Sequence, residues 1–277
     1  MENIIYYFSG TGNSLRAATQ IAGMLGNTKI VSVRSNPKDV SSQNANMIGF
    51  VCPVYEWDIP GKMKEFVENL EINPKAYIFM VATYIAVHGR CFETMEGLLA
   101  DKGAHLSYGR ALRCVASQCI AYPPFPPEKL MVPYMEKNMQ KISREIKEQK
   151  RRKFPRMSFL SKKLYPKLMT PYMEIEKEYD KGFYTDEQCA GCKICAKVCP
   201  TKNITFEDNR PIWNHHCHGC NACVAYCPTK AIQFKTPPAY RELGTFISKR
   251  LCLPKKRKRY HHPYIKAADL MKNEKTF

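Results

Sequence analysis

The segment Cys189-Ala-Gly-Cys192-Lys-Ile-Cys195-Ala-Lys-Val-Cys199-Pro200 recurs 28 residues later as Cys217-His-Gly-Cys220-Asn-Ala-Cys223-Val-Ala-Tyr-Cys227-Pro228. Each copy has three cysteines spaced three positions apart and a fourth directly before a proline. This spacing is typical of paired [4Fe–4S] clusters in which the fourth cysteine of one copy ligates the cluster of the other. The tandem therefore predicts two clusters and one-electron chemistry. The expected ligand sets are Cys189, Cys192, Cys195 and Cys227 for the first cluster, and Cys199, Cys217, Cys220 and Cys223 for the second.

Zinc and disulfide bonds are the alternative interpretations of these cysteines. Zinc sites favour pairs of Cys-x-x-Cys without a third cysteine and a Cys-Pro in each half. Disulfides fit poorly because the total of 13 cysteines is odd. We also expect no secretory signal, so a reducing cytoplasm is the predicted location. Residues 182–235 resemble the bacterial two-cluster ferredoxins, which implies a small α+β domain.

A loop near the N-terminus is rich in glycine and hydroxyl groups. An apolar, aromatic run at residues 3–8 precedes it, and apolar residues at helical spacing follow it from Leu15 to Leu25. This pattern predicts a buried strand, a loop and a helix. At such a junction the free N–H groups and the positive end of the helix dipole bind phosphate. The predicted phosphate loop consists of Ser9, Gly10, Thr11, Gly12, Asn13 and Ser14.

A dinucleotide-binding turn is the main alternative for this loop, since Gly10-Thr-Gly12 begins a G-x-G-x-x-G pattern. Leu15 occupies the third glycine position, and no acidic residue ends the second predicted strand at residues 30–34. In that interpretation Arg34 would bind the phosphate of NADP. A hydroxyl-rich loop of this kind instead resembles the FMN phosphate loop of flavodoxins.

Two later strands, predicted at residues 48–55 and 76–82, end in loops with flat side chains. Open α/β sheets bind ligands at the carboxyl ends of their strands. The flavodoxin resemblance extends to Pro-Val-Tyr in the first loop and Thr-Tyr in the second, and it implies that both loops flank the flavin ring. Ile85 and Ala86 depart from the family, which often has glycines there. The implied residues are Pro53, Val54, Tyr55, Trp57, Thr83, Tyr84, His88 and Gly89.

The predicted fold class is α/β. We expect a flavodoxin-like, doubly wound parallel sheet in the order 2-1-3-4-5, followed by the small two-cluster ferredoxin domain. The expected boundaries are residues 1–150 for the flavodoxin-like domain, 151–181 for a basic linker, 182–235 for the ferredoxin domain and 236–277 for a basic C-terminal tail.

The net charge of +18 is unevenly distributed, with +1 over residues 1–125 and +8 over residues 236–277. We expect the tail, centred on Lys255–Arg259, to be solvated or to bind an acidic redox partner, and we do not expect it to bind nucleic acid. Prolines interrupt the linker, which predicts a connector of short helical pieces. The alternative is a basic amphipathic surface that contacts a membrane.

The order of these parts, ending in Arg259-Tyr-His-His-Pro263, resembles the flavodoxin–ferredoxin fusion proteins of anaerobic bacteria. The resemblance implies FMN, two [4Fe–4S] clusters and electron transfer between them and partner redox proteins. The alternative is an iron–sulfur flavoenzyme that reduces a small-molecule substrate, with His88 and Tyr84 as candidate catalytic residues and His88 as the proton donor. A redox-sensing regulator that acts through the tail is a third hypothesis.

Overall fold

The computed structural model describes residues 3–243 and 251–277. Its strands are β1 (Asn3–Tyr7), β2 (Thr28–Ser32), β3 (Met47–Pro53), β4 (Tyr77–Tyr84), β5 (Tyr108–Arg113), β6 (Phe183–Thr185), β7 (Ile204–Glu207), β8 (Arg210–Trp213), β9 (Ile232–Phe234) and β10 (Glu274–Thr276). Its α-helices are α1 (Asn13–Leu25), α2 (Gly61–Glu68), α3 (Cys91–Ala100), α4 (Glu128–Lys147), α5 (Phe159–Glu174), α6 (Ile194–Val198), α7 (Ala222–Ala225), α8 (Pro238–Glu242) and α9 (Ala267–Met271). Short 3-10 helices cover Pro37–Asp39 and Glu176–Gly182.

The N-terminal half forms a parallel sheet with strand order β2-β1-β3-β4-β5, as the sequence predicts. Strands β1, β3 and β4 are buried on both faces, which explains their nearly continuous apolar sequences. Helices α1 and α4 pack on one face of the sheet, and α2 and α3 pack on the other. The carboxyl ends of the strands therefore meet at one edge, together with the loops that follow them.

The C-terminal half contains two small antiparallel sheets, β6-β9 and β7-β8, with the short helices α6 and α7. It does not stand apart from the larger sheet. Val198, Ala222, Ala225 and Tyr226 belong to the same buried apolar cluster as Leu15 of α1. The two halves thus share a core, and their relative position is determined by apolar packing.

The C-terminal tail folds back onto the N-terminal half, so the expectation of a solvated tail is wrong where Tyr260, His262, Ile265 and Leu270 are buried. Strand β10 pairs antiparallel with β2 and covers the edge of the sheet. Tyr260 and His262 are buried, at 1% and 0% exposure. The basic run itself stays largely at the surface, with Lys258 beside Glu128. Residues 244–250 of the predicted tail lie outside the described residues.

The linker contains one continuous helix, α5, and the expectation of short helical pieces is wrong there. Pro166 and Pro171 lie inside the helix and do not end it. A proline removes one helical hydrogen bond, but an exposed carbonyl that loses this partner can bond to water. Within the described part of the chain, no helix has the length and apolar character needed to cross a bilayer.

The buried imidazole of His262 predicts a loss of stability in mild acid. Its Nδ1 accepts a hydrogen bond from the backbone N–H of Tyr264 at 3.3 Å, and its Nε2 lies 3.8 Å from Glu136 Oε1. Burial lowers the pKa of His262 to about 4, although the carboxylate of Glu136 opposes that lowering. Below its ordinary pKa of about 6.5, the unfolded chain binds a proton that the folded chain does not. We expect the free energy of unfolding to fall by roughly 2 kcal/mol between pH 7 and pH 5 from this group.

Anaerobic urea titrations at both pH values test this expectation. The variant His262→Gln lacks the titrating group, so its free energy of unfolding should depend less steeply on pH than that of the wild type. Equal slopes for the two proteins would show that His262 is not held neutral by the fold.

Candidate cofactor site and its cysteine ligands

The predicted phosphate loop lies between β1 and α1 and is buried. Gly12 has a φ of 97°, a backbone conformation that favours glycine, and it caps α1. The first turn of α1 carries no acidic residue. The positive end of the helix dipole therefore meets no competing carboxylate from its own helix, as a phosphate site requires.

The hydroxyl groups of the loop bond to neighbouring polar atoms. Ser14 Oγ lies 2.8 Å from Thr83 Oγ1, and Thr11 Oγ1 donates to Ser117 Oγ at 2.8 Å. Ser9 Oγ accepts from the backbone N–H of Gly12 at 3.2 Å. These hydroxyls are adaptable donors, since each can rotate toward an anion that enters the loop.

The tail holds the loop in place. Tyr260 Oη donates to Asn13 Oδ1 at 2.8 Å, and the backbone N–H of His262 donates to the carbonyl oxygen of Thr11 at 2.8 Å. The side chain of Asn13 also donates to the carbonyl oxygen of Val115 at 3.1 Å. The sequence analysis missed this role because partners almost 250 positions apart leave no local pattern.

A cavity of about 320 Å³ adjoins the loop, at the lower end of the roughly 300–1,000 Å³ typical of ligand sites. Its lining includes most of the predicted cofactor residues. Those residues are Ser9, Gly10, Thr11, Asn13, Ser14, Pro53, Val54, Tyr55, Trp57, Thr83 and Tyr84. Gly12, His88 and Gly89 are not part of this lining.

The ring of His88 lies outside the cavity lining. Its Nδ1 is 2.9 Å from the carbonyl oxygen of Gly89, and its ring contacts Tyr84 and Phe92 edge-on. Gly89 instead fits closely against the backbone of Trp57, where a Cβ would overlap the carbonyl oxygen. Gly89 therefore packs behind Trp57, and of the two candidate catalytic residues Tyr84 is the one that belongs to the cavity lining.

The opposite wall of the cavity comes from the C-terminal half and from α5. His218, Gly219, Cys220 and Asn221 belong to the second cysteine motif. The remaining lining on this side includes Met169, Tyr172, Tyr179, Tyr240 and Leu251. Sequence reasoning did not place these residues at the site, because the packing of two separate sequence segments brings them there.

The phosphate loop and the second cysteine motif are in direct contact. A Cβ on Gly10 would overlap the carbonyl oxygen of Cys220, so only glycine allows this approach. A Cβ on Gly12 would lie 2.9 Å from Tyr226 Oη, which is also closer than side chains normally pack. Burial raises the pKa of Tyr55 well above its usual value, and negative charge on Cys220, Cys52 and Cys217 raises it further.

The electrostatic neighbours of the buried thiols come mainly, though not entirely, from the ligand set predicted for each. Burial raises the pKa of Cys195 to about 12, and Cys192, Cys227 and Cys189 raise it further. For Cys223 burial again raises the pKa most, with smaller contributions from the second set, Cys220, Cys217 and Cys199, and from Cys195. Bound iron would deprotonate these thiols, because its positive charge offsets the cost of burying a thiolate. The donor chemistry therefore fits the cluster predicted for each set.

Backbone groups also approach the cysteine sulfurs. The N–H of Asn203 donates to Cys199 Sγ at 3.3 Å, and the N–H of Gly219 donates to Cys217 Sγ at 3.3 Å. Such bonds stabilise the negative charge of a ligated sulfur.

In the described residues, no three His, Cys, Asp or Glu side chains meet in a geometry for a metal ion.

Two half-buried arginines lie near the fourth cysteines of the motifs. Arg34 Nη1 donates to the carbonyl oxygens of Lys197 and Leu270, at 2.5 and 3.0 Å, and not into the cavity. Arg259 Nη2 donates to the carbonyl oxygens of Lys230 and Ile232, at 2.6 and 2.7 Å. Burial lowers the pKa of both guanidinium groups. The negative charge of Cys199 opposes that lowering at Arg34, and at Arg259 the charge of Cys119 opposes it most, followed by that of Cys227.

Two domain models match the chain, one in each half. A flavodoxin domain model matches residues 4–99, and a 4Fe-4S dicluster domain model matches residues 188–232. The solved structures that resemble the chain include Megasphaera elsdenii flavodoxin, with 21% identity, 39% of this chain and 83% of that chain covered, and a TM-score of 0.34. Fusobacterium nucleatum flavodoxin bound to flavin mononucleotide covers 55% of this chain and 100% of its own, with 16% identity and a TM-score of 0.38. No curated protein matches the chain.

The strand order and the matched models define a flavodoxin-type α/β protein with an iron–sulfur domain at its C-terminal side. The chain is a fusion of a flavodoxin domain with a ferredoxin-type 4Fe-4S domain.

The contact at Gly10 predicts that even one methyl group separates the two halves. We expect Gly10→Ala to lower the free energy of unfolding by about 1–3 kcal/mol, because the added Cβ overpacks a close backbone contact. Gly23→Ala in α1 is the matched control, since its Cβ would meet no atom within 4 Å. Urea unfolding measures both variants. Equal stability of Gly10→Ala and Gly23→Ala would contradict the contact.

The arginines predict separate changes in the reduction potentials of the clusters. Reduction adds negative charge, so loss of a nearby positive charge makes it less favourable. We expect Arg34→Gln to lower the potential of the cluster predicted at Cys199, and Arg259→Gln to lower that of the cluster predicted at Cys227. A redox titration followed by electron paramagnetic resonance resolves the two. Arg144→Gln on the exposed surface of α4 is the control. Equal effects of all three variants would contradict the assignment.

Proposed function

We propose that the protein transfers electrons between an FMN, held at the phosphate loop and the adjoining cavity, and two [4Fe–4S] clusters, and from there to partner redox proteins. FMN exchanges one or two electrons whereas each cluster exchanges one, so the combination can divide an electron pair or join two single electrons. A reducing cytoplasm is part of this proposal, because the ligand thiols must remain free to bind iron.

The observation that carries the proposal is the contact between Gly10 and Cys220. The loop that would hold the FMN phosphate touches the motif that would hold the second cluster, and both line one cavity. A flavin in this cavity would lie beside that cluster, with no other domain between them. Short separation is the main requirement that a protein can meet for fast electron transfer between two fixed centres.

The residues around the cavity would position the flavin and exclude water. Ser9, Thr11 and Ser14 would donate to the phosphate, and Tyr55, Trp57 and Tyr84 offer flat surfaces to a ring. The wall from the C-terminal half covers the side of the cavity that faces the clusters. This enclosure keeps the dielectric constant low around the flavin and the second cluster, which strengthens the effect of nearby charges on their reduction potentials.

The first cluster offers an exit to partner proteins. Its loop lies at the surface, where Cys192, Lys193 and Lys197 are exposed. Both sets include buried cysteines, but in the second set no cysteine is exposed, since Cys199 and Cys223 are buried and Cys217 and Cys220 are partly buried. Positive side chains beside an exposed redox loop favour association with an acidic surface. We therefore propose acidic redox proteins as partners at the first cluster.

A small-molecule reductase is the second candidate, and the polar groups in the cavity favour it. Gln118 and His218 line the cavity together with Tyr84, so a bound molecule would meet hydrogen-bonding side chains as well as aromatic ones. In that case the flavin would be reoxidised only when the substrate is present.

A cofactor inventory and a stopped-flow experiment on the anaerobically purified chain test the proposal. We expect one FMN and about eight iron atoms per chain, the content of two clusters. After mixing with dithionite, the flavin and cluster absorbance should change together in the wild type and in Gly23→Ala. They should separate in time in Gly10→Ala, in which the contact is disturbed. Independent reduction of flavin and clusters in the wild type would refute intramolecular transfer.

A further inference from the structure

Helix α5 presents an unusually apolar surface to solvent. Phe159 is 85% exposed, Leu160 65%, Leu164 41% and Leu168 42%. The opposite side of the helix is anchored, with Tyr165 only 7% exposed beneath the guanidinium of Arg90 at 5.5 Å. The side of α5 that faces the protein is therefore already packed, and the exposed side chains form its outer surface.

The exposed residues form two adjacent stripes. Leu160, Leu164 and Leu168 recur every four positions, so they lie along one side of the helix. Lys163 and Lys167, also four positions apart and exposed, lie along the next row. Because α5 is continuous through its prolines, both stripes run along a helix about 24 Å long.

The charge around these stripes has a single sign. Residues 149–173 contain eight basic residues and no acidic residue. Arg151, Arg152, Lys153 and Arg156, which precede the helix, are all exposed. The surface that α5 presents thus combines positive charge with protruding apolar side chains.

The composition of this surface distinguishes between lipid and protein as its partner. Protein interfaces are enriched in arginine and depleted in lysine, and leucine is under-represented among the residues that dominate their binding energy. Helix α5 itself contains three lysines, three leucines and no arginine. Helices that lie in the plane of a membrane interface combine leucine and phenylalanine on one side with lysine on the other. Their lysine stems extend along the apolar surface while the ammonium groups reach the headgroups.

We propose that α5 docks on an anionic lipid bilayer, with Phe159, Leu160, Leu164 and Leu168 inserted at the level of the headgroups. Lys163 and Lys167 contact the lipid phosphates. The helix lies along the surface and does not cross it. Met169 and Tyr172 of the same helix line the cavity, so docking brings the cavity close to the membrane.

Vesicle flotation with the full-length protein, purified anaerobically with its cofactors, tests the proposal. We expect the wild type to float with vesicles that contain phosphatidylglycerol, and to float less with phosphatidylcholine alone or at high salt. The variant Lys163→Gln/Lys167→Gln should bind the anionic vesicles roughly tenfold or more weakly, and Leu160→Ser/Leu164→Ser should also lose binding.

Helix α4 supplies matched controls on another surface of the same chain. Lys137 and Lys141 are exposed and four positions apart, and Leu130 and Tyr134 are exposed at 65% and 48%. Lys137→Gln/Lys141→Gln and Leu130→Ser/Tyr134→Ser should float as the wild type does. An unchanged absorption spectrum confirms that each variant is folded.

Three outcomes overturn the proposal. Absence of binding to anionic vesicles would leave the surface to an acidic protein partner. Equal losses in the α4 and α5 variants would show a general effect of charge or hydrophobicity. A wild-type dimer that becomes a monomer in Leu160→Ser/Leu164→Ser, measured by analytical ultracentrifugation, would assign the surface to a second copy of the chain.

Discussion

The close approach of the phosphate loop to the second cysteine motif is the contact on which the rest of the structure depends. It requires a residue without a side chain at Gly10, because a Cβ there would overlap the carbonyl oxygen of Cys220. It also requires burial of Tyr226 and Ile265 beside Gly12. Two segments that are each typical of a separate protein thereby share one apolar core. The cavity between them has walls from both, so the position of one half determines the shape of the site in the other.

The C-terminal tail strengthens this arrangement from outside. Strand β10 adds to the edge of the sheet next to β2, where an unpaired strand would otherwise present its N–H and C=O groups to solvent. Before that strand, Tyr260 and the backbone of His262 bond to the phosphate loop. The tail thus connects the far edge of the sheet with the loop at its centre. Its basic residues divide into two groups, since Arg259 is half-buried near Cys227 whereas Lys255 and Lys256 remain in solvent.

The positive charges of the whole chain divide in the same way, into half-buried charges near the cysteine motifs and charges exposed to solvent. Positive charge near the cysteine motifs is held at fixed positions by backbone carbonyls, as at Arg34 and Arg259. Such fixed charges act on buried centres through a low dielectric and are weakly screened by salt. The positive charge of residues 149–173 is exposed, so it acts on partners at the surface and is sensitive to ionic strength.

The sequence by itself determined the parts of this protein whose signals are local. The cysteine spacing, the strand–loop–helix junction at Ser9–Ser14 and the strand order all depend on residues near each other in the chain or on general rules of α/β topology. The predicted cavity residues from Pro53 to Tyr84 also follow from strand ends. The remaining features came from tertiary structure. The wall that includes His218, the bonds from Tyr260 to Asn13, the displaced position of His88 and the continuous helix α5 result from packing between distant segments. Burial of apolar surface stabilises such contacts whatever the sequence separation of the residues, so no local sequence pattern predicts them.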